Sequence, residues 1–587
     1  MNDVHKRRMS KMENENGYSK KVQNALMVMF LLGIFIGGMD SGIVSPARTV
    51  IADALGVSAD ASIWMITIYT LVYAVIMPIS GKLADRYGKK KLFVFSITVF
   101  GIGSALCGIS DYAGGYSFLI VARIIQAIGG GGIMPIATAF IGESFPKEKR
   151  GAALGIVGAT YGIATTLGPT IGSGIINIFG RDNWGLLFFI NVPICVVVVI
   201  MAARIKIKEK EFTDKKLDVL GSIIVSFMIL SIMYAVTNLN FHNFGQSLKS
   251  TDVYPFLIVF IVLLPIFIYR ENRTEDPIIN LDYFRNRNIR ITLIMALVVG
   301  CGMMSVVFIP QFGENVLRLS QGSGGYLITV MAICSGIAAP IGGKFIDKYS
   351  AKAVLLVGFG STIVGTLTLA LFVSKTNNAV GLFIALALMG IGMGLTMGTP
   401  LNYLMQTYVK REEASSAQAT LSLIKSVGIA VSPNILVNFI AEAGDKMPTK
   451  LMEVMPKIPG MASSASHSIG VSGVPNNILN SFQNADVTSI TGVMKEFSSF
   501  MFDKAKPLIE QGMVGHLPPH TSMETVFNSM KVQYLHQVDG AKTVIENTFQ
   551  STLNSGFASL FIASAIIALV GFLCAICLKN KDHVTNK

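Results

Sequence analysis

Long apolar runs dominate this chain, each ended by a short polar break. They fall at 24–46, 63–80, 92–110, 117–141, 152–178, 184–203, 217–238, 254–269, 290–311, 324–342, 353–373, 379–403, 415–440 and 556–578. About 20 apolar residues carry a helix across the hydrocarbon core of a bilayer, so the pattern predicts fourteen membrane-spanning helices. The run at 254–269 is the shortest, and Tyr254, Pro255 and Tyr269 give it interface-like ends. Only 441–555 breaks the rhythm, with a long polar stretch before the last span.

The polar breaks are not alike. Alternate ones read KLADRYGKKK, PKEKR, RIKIKEKEFTDKK, RENRTEDPIINLDYFRNRNIR, KFIDKYSAK and VKREE; the others hold isolated Arg48, Arg181, Lys249, Arg318 and Lys375. Lys and Arg collect in cytoplasmic loops, so both termini are expected in the cytoplasm and 441–555 outside. The alternation holds throughout, as an even number of spans requires.

One phrase occurs twice. GKLADRY at 81–87 returns as GKFIDKY at 343–349, 262 residues on, each time after an apolar run on the basic side. Two six-helix halves joined by two extra helices place the copies after spans two and ten. Internal repeats of this kind are a sequence trace of transporters that alternate access at the repeat interface.

Composition agrees. Of 587 residues, 51% are hydrophobic and 14% charged, against about 25% charged in a soluble domain. The net charge of +13 sits in short runs between apolar segments, which excludes a nucleic-acid face and fits loops on an anionic leaflet. All six cysteines lie in apolar runs; Cys574 and Cys577 form a lone CxxC inside one, which reads as packing. No phosphate-binding G-x-x-x-x-G-K-[ST] loop occurs. Neither cofactor nor metal is expected. The first run is too long for a signal-peptide core and reads as a retained span.

These residues resemble the fourteen-helix drug:proton antiporters (EmrB/QacA type) of the major facilitator superfamily. The family's loop after span two is matched by Gly81, Leu83, Asp85, Arg86, Gly88, Lys89 and Lys90; its fourth-span motif by Ala122, Arg123, Gln126 and Gly129. The antiporter motif of span five resembles Gly168, Pro169 and Gly172, with Ser173 after it; the span-six motif resembles Trp184, Phe188 or Phe189, Asn191 and Pro193. LDVLG at 217–221 and the stretch at 276–288 also fit. Span one departs: Asp40 matches, but Gly42 replaces Thr and Thr49 stands at the Pro position; Lys425 stands where Arg is usual.

The resemblance implies roles. Gly81, Asp85, Arg86, Gly88 and Lys89, with Asp347 and Lys348 in the second copy, are expected to form a latch that breaks when the cytoplasmic side opens. Otherwise they are only topology signals. Gly158, Gly162, Gly168, Pro169 and Gly172 would make a hinge or seal, because small residues let helices approach and Pro169 frees a carbonyl. Ionisable groups deep in a span are costly; Asp40, Arg123 and Lys425 are the deepest, with Glu143 and Glu314 nearer ends. Arg123 and Gln126, three apart, share one helix face. Asp40 is expected to exchange a proton, with Arg123 setting its affinity and Gln126 beside it; Glu314 and Lys425 are further coupling candidates. A plain structural pair packing spans one and four is the alternative.

The segment 441–555 has eight lysines, ten acids and no arginine. SSASHSIGVSGVPNNILN reads as loop, two amphipathic helices follow from about 485, and HLPPHT at 516–521 is a turn between them. His516 and His520 have no acid or Cys cluster to make a metal site.

The expected protein is all-α and integral to the membrane: a cytoplasmic tail (1–23), an N-terminal six-helix half (24–206), linker helices (207–275), spans nine to thirteen (276–440), an extracellular helical insertion (441–555), the last span (556–578) and a tail (579–587). Its expected function is proton-coupled multidrug efflux of hydrophobic or cationic compounds from a bacterial cell, as a monomer among lipids. A proton falling through about 100 mV and one pH unit releases about 3.7 kcal/mol, enough for a roughly 500-fold gradient. The alternative is export of lipid-like or peptide-like amphiphiles. An enzyme would need clustered His, Asp or Glu at one membrane face, and a sensor would need an output domain that neither tail is long enough to hold.

Overall fold

The computed structural model describes residues 20–579 apart from 45–46, 208–217, 320–323, 377, 457–474, 476–477, 479–488, 508 and 510–521. Thirteen helices in chain order are α1 (Lys20–Ile43), α2 (Ala59–Tyr87), α3 (Lys89–Gly108), α4 (Gly115–Ser144), α5 (Lys147–Phe179), α6 (Leu186–Arg204), α7 (Val219–Asn238), α8 (Tyr254–Glu271), α9 (Arg287–Met303), α10 (Gly325–Lys348), α11 (Ala351–Thr368), α12 (Ala379–Met397) and α13 (Ala414–Glu453). After them come α14 (Ile490–Lys504), α15 (Met523–Gly540) and α16 (Lys542–Ile576). Of these, α1–α13 and α16 are long and apolar enough to cross a membrane, fourteen among the described residues. A short helix, Ile309–Asn315, follows α9. The short eighth run does form a helix; Ile258, Ile261 and Val262 on it are more than half exposed, as a lipid-facing peripheral helix requires.

The repeated phrase makes the tightest turn in the first half. Residue Gly88 adopts φ +100, a conformation open to glycine, and separates α2 from α3 with no loop at all. Two apolar cores lie on either side of the molecule's midline. One, around Phe30, Phe93, Phe100 and Phe140, joins α1, α3, α4 and α6; the other, around Leu293, Phe359, Leu395 and Leu421, joins α9–α13 and α16. The halves meet along two seams, α5 against α10 and α2 against α13. Linker helices α7 and α8 pack on the second seam only, where Val225, Met233 and Phe267 meet Leu71, Met77 and Leu423.

A separate core stands off one face of the bundle. Helix α13 is 40 residues long and α16 is 35, so at about 1.5 Å per residue both outrun a bilayer core of about 30 Å. Hydropathy ended the thirteenth span at 440 and began the last at 556, but both helices continue past those points. Their extensions point Met447, Leu451, Ile545 and Phe549 into a core with Met494, Phe502, Phe527 and Tyr534 of α14 and α15. Apolar burial continues there against protein instead of lipid, so the helix persists where the hydropathy signal stops. The turn at 516–521, with His516 and His520, and nearly all of 463–480 lie outside the described residues.

Candidate functional site

Asp40, wholly buried near the end of α1, accepts hydrogen bonds from three side chains on two other helices. The Arg123 guanidinium of α4 donates to Oδ2 at 3.2 Å; Gln126 Nε2 of α4 and Asn191 Nδ2 of α6 each donate to Oδ1 at 2.9 Å. The i, i+3 spacing of Arg123 and Gln126 aims both at one carboxylate, and Gln126 Oε1 accepts a bond back from Arg123. Ser104 of α3 accepts from Gln126 at 2.7 Å. Arg123 also donates Nε to the Met65 carbonyl at 3.1 Å, and its guanidinium lies 4.2 Å from the Tyr69 ring and 5.5 Å from Phe188. A charge pair this dry persists only because hydrogen bonds and ring faces complete it. Asn191 and Ser104 were not among the coupling residues expected from the sequence; an asparagine inside the VVVVI-bearing run was the available signal for Asn191.

Close backbone approach makes this geometry achievable. A Cβ on Gly103 would sit 2.4 Å from the Gln126 backbone, and one on Gly129 2.2 Å from the Phe100 amide, so α3 and α4 pack nearly in contact. The antiporter stretch of α5 does the same beside Asp40: a Cβ on Gly168 would reach the Met39 carbonyl at 2.6 Å, and one on Gly172 the Ile43 carbonyl at 2.4 Å. The departure at Gly42 has its reason here, because a Cβ there would meet Pro169 at 2.9 Å and the Thr165 carbonyl at 3.1 Å. Gly158 instead faces the other half, against Gly398, and Gly162 looks toward Ser335.

The repeated phrase serves both seams. Asp85 Oδ1 accepts from the Ser415 amide at 2.9 Å, and Oδ2 from the Ser416 amide and hydroxyl at 2.7 Å, at the start of α13. Asp347 accepts from the amides of Gly151 at 2.9 Å and Ala152 at 3.0 Å, near the start of α5. Helix starts offer free amides and a positive dipole end, both suited to a carboxylate. Gly81 and Gly343 let the backbones close: their added Cβ atoms would meet Ala419 at 2.6 Å and the Gly151 carbonyl at 2.3 Å. Lys89 ties Asp85 (3.6 Å) to Glu143 of α4 (3.2 Å). Arg86 does not join Asp85; its guanidinium lies over the Tyr87 ring at 5.2 Å, and Lys348 lies likewise over Tyr349. Backbone amides on the facing half are better placed for these aspartates than the neighbouring side chain, which points the other way round the helix. The stretch between α8 and α9 adds a brace on the α2–α13 seam, where Lys82 pairs with Asp276, and Asn280 and Tyr283 donate to Glu413 at 3.1 and 3.0 Å.

The remaining two candidates sit apart. Glu314 lies in the helix Ile309–Asn315, next to Asn315, whose carbonyl accepts from Gln550 of α16 at 2.9 Å, and is not a partner of Asp40. Lys425, the twelfth residue of α13, holds its ammonium 5.4 Å from the ring of Tyr161 on α5. Tyr161 in turn packs against the cores of both halves. The C-terminal half holds a cavity of about 40 Å³ lined by Val299, Met303, Met331, Met389, Met393 and Met397, among others.

A two-half helical bundle with a dry charge cluster in one half and paired latches between the halves defines a membrane transporter. The Major Facilitator Superfamily family model matches residues 30–433, and the chain belongs to that family. It is 37% identical to an uncharacterised MFS-type transporter, YfiU, of Bacillus subtilis, over 77% of this chain and 88% of that protein. It is 32% identical to Multidrug resistance protein 3 of the same organism, over 81% of this chain and 92% of the relative. Among solved structures, the human organic anion transporter MFSD10 superposes with TM-score 0.52 at 11% identity, covering 71% of this chain and 93% of its own, a likeness of fold. The family match ends before the standing-off core begins.

Proposed function

We propose that the chain is a proton-coupled exporter of hydrophobic compounds, working by alternating access, with the latch side in the cytoplasm of a bacterial cell and the α14–α15 module outside. The observation that carries the reading is Asp40, a fully buried carboxylate whose hydrogen-bond partners come from α4 and α6. As carboxylate it binds Arg123; protonated, it loses the charge that holds Arg123 and loosens α1 from α4. Because α1 beyond Asp40 touches Gly168, Pro169 and Gly172, that loosening passes to α5 and so to the α5–α10 seam and the Asp347 latch. Latches closed, the bundle is shut on their side; latches open, substrate enters from there. Names among the relatives, Multidrug resistance protein 3 included, support efflux of varied compounds. Five methionines around the cavity beside α9 support it too, since thioether side chains re-pack around different apolar bodies. The module standing off the opposite face favours a second reading, export of larger amphiphiles handed on at the exit.

The test is the purified chain in vesicles under an imposed pH gradient, followed with hydrophobic dyes, ethidium among them. Gradient-driven movement that Asp40→Asn abolishes is expected. Movement retained in Asp40→Asn overturns the proton site, and movement independent of the gradient overturns proton coupling.

A further inference from the structure

The charges deep in the bundle do not cancel. Asp40 is matched by Arg123, and its other hydrogen-bond partners, Gln126 and Asn191, are neutral. Lys425 is the unmatched one. Among the described residues no carboxylate lies within ion-pair distance of it, and its ammonium faces the Tyr161 ring instead. The lysine is partly exposed and stands nine residues beyond Ser416, about 14 Å along α13 from the amides that hold Asp85 and inside the apolar run at 415–440. An ammonium there without an anion is costly, and such residues mark ligand pathways.

Its surroundings are amphipathic. Gly300 of α9 lies against the Lys425 backbone: a Cβ on it would come within 2.2 Å of the Lys425 carbonyl. On the same stretch of α9, Val298, Val299, Gly302 and Met303 line the methionine cavity. The Tyr161 ring that receives the ammonium packs into the same core as Met393 and Met397 of that cavity. Lys425 and the methionine cavity thus flank the same stretch of α9. The cavity's 40 Å³ is far below the roughly 300 Å³ of a drug-sized site, so an occupant enlarges it by moving thioether side chains.

We infer that Lys425 and the methionine cavity form a substrate site for acidic amphiphiles, with the ligand's carboxylate on Lys425 and its apolar body among Met303, Met393 and Met397. The site selects anionic over cationic compounds of equal size, because no acid is among the described residues that line the cavity and Lys425, on the helix packed against α9, is positive. This deepens the exporter reading and rests on it for the direction of transport, but binding can be measured without transport.

The experiment uses the full chain in lipid nanodiscs and three probes sharing one dansylated undecyl body, ending in a carboxylate, its methyl ester or a trimethylammonium. Dansyl fluorescence is expected to report carboxylate binding about tenfold or more tighter than the ammonium, the usual scale of one charge-assisted contact. Lys425→Met is expected to remove that preference while leaving the ester's affinity unchanged, which also shows the variant is folded; Lys425→Arg keeps it. Equal affinity for carboxylate and ammonium, a preference that survives Lys425→Met, or no binding of any probe overturns the site. The exporter reading fails separately: wild type that prefers the carboxylate yet moves no substrate under a pH gradient keeps this site and loses proton-driven export.

Discussion

Asp85 and Asp347 make the same contact in opposite directions. Each leaves the end of its own helix and accepts backbone amides near the start of a helix in the other half, at 2.7–2.9 Å for Asp85 and 2.9–3.0 Å for Asp347. One phrase written twice thus supplies the same contact at both seams. The seams are not equal, because Lys82, Asp276, Tyr283 and Glu413 brace only the α2–α13 seam.

The gate is tested most directly at a glycine. A side chain at Gly343 drives its Cβ to within 2.3 Å of the Gly151 carbonyl. Gly343→Val is expected to hold the latch side open, and a loss of ~1.4 kcal/mol from the closed state already changes its population about tenfold. Spin labels at Lys91 and Lys410 are then expected to report a longer distance than in the parent chain; an unchanged distribution removes Gly343 from the gate.

The Asp40 cluster predicts an order of stabilities. Asp40→Ala leaves Arg123 buried without its counter-charge, which costs about 3–5 kcal/mol for broken buried pairs. Asp40→Asn keeps the shape and an acceptor, and costs about 1–3 kcal/mol. Thermal unfolding in detergent is expected to rank parent, Asn, Ala; an Ala variant as stable as the parent shows that the pair holds nothing together.

Asp218 offers a pH test outside the membrane spans. It caps α7 by accepting the Gly221 amide at 2.8 Å and takes Arg270 Nε of α8 at 2.9 and 3.0 Å. Burial pushes its carboxyl up, but Arg270, Gly221 and Thr274 outweigh that and hold it below the usual carboxylate range. A depressed carboxyl stabilises the fold above the unfolded value of about 3.9 and loses that stability as pH falls through the lower folded value. Asp218→Asn is expected to cost about 1–2 kcal/mol at pH 7 through the weakened cap and pair, and to flatten the stability loss of the α7–α8 pair below about pH 4. Hydrogen exchange of α7 amides against pH checks it; equal slopes in both chains discard the pair as a contributor.

Phe502 holds the module. Its buried ring lies 5.1 Å from Phe527 and 5.4 Å from Tyr534. Phe502→Ala is expected to cost that core about 3–5 kcal/mol and expose it to protease. Since α13 and α16 run unbroken from the bundle into this core, export is expected to slow as well. A module cleaved readily with export at the parental rate makes it a cap with no part in exit.

Much of this was legible along the chain. Length and apolarity alone determined the fourteen spans, because a bilayer sets both demands without reference to neighbours. The repeat at 81 and 343 and the deep Asp40 and Arg123 were equally plain, since each is a local departure from an apolar background. What only the tertiary structure decided concerns partners. It put Asn191 and Ser104 beside Asp40, gave Asp85 the amides of Ser415 and Ser416 instead of Arg86, and placed Gly42 against Pro169. It also carried α13 and α16 beyond the hydropathy limits at 440 and 556, and left Lys425 facing a ring with no acid. Hydropathy records the solvent a residue needs, whereas these contacts join residues up to 331 positions apart and follow from how the helices pack.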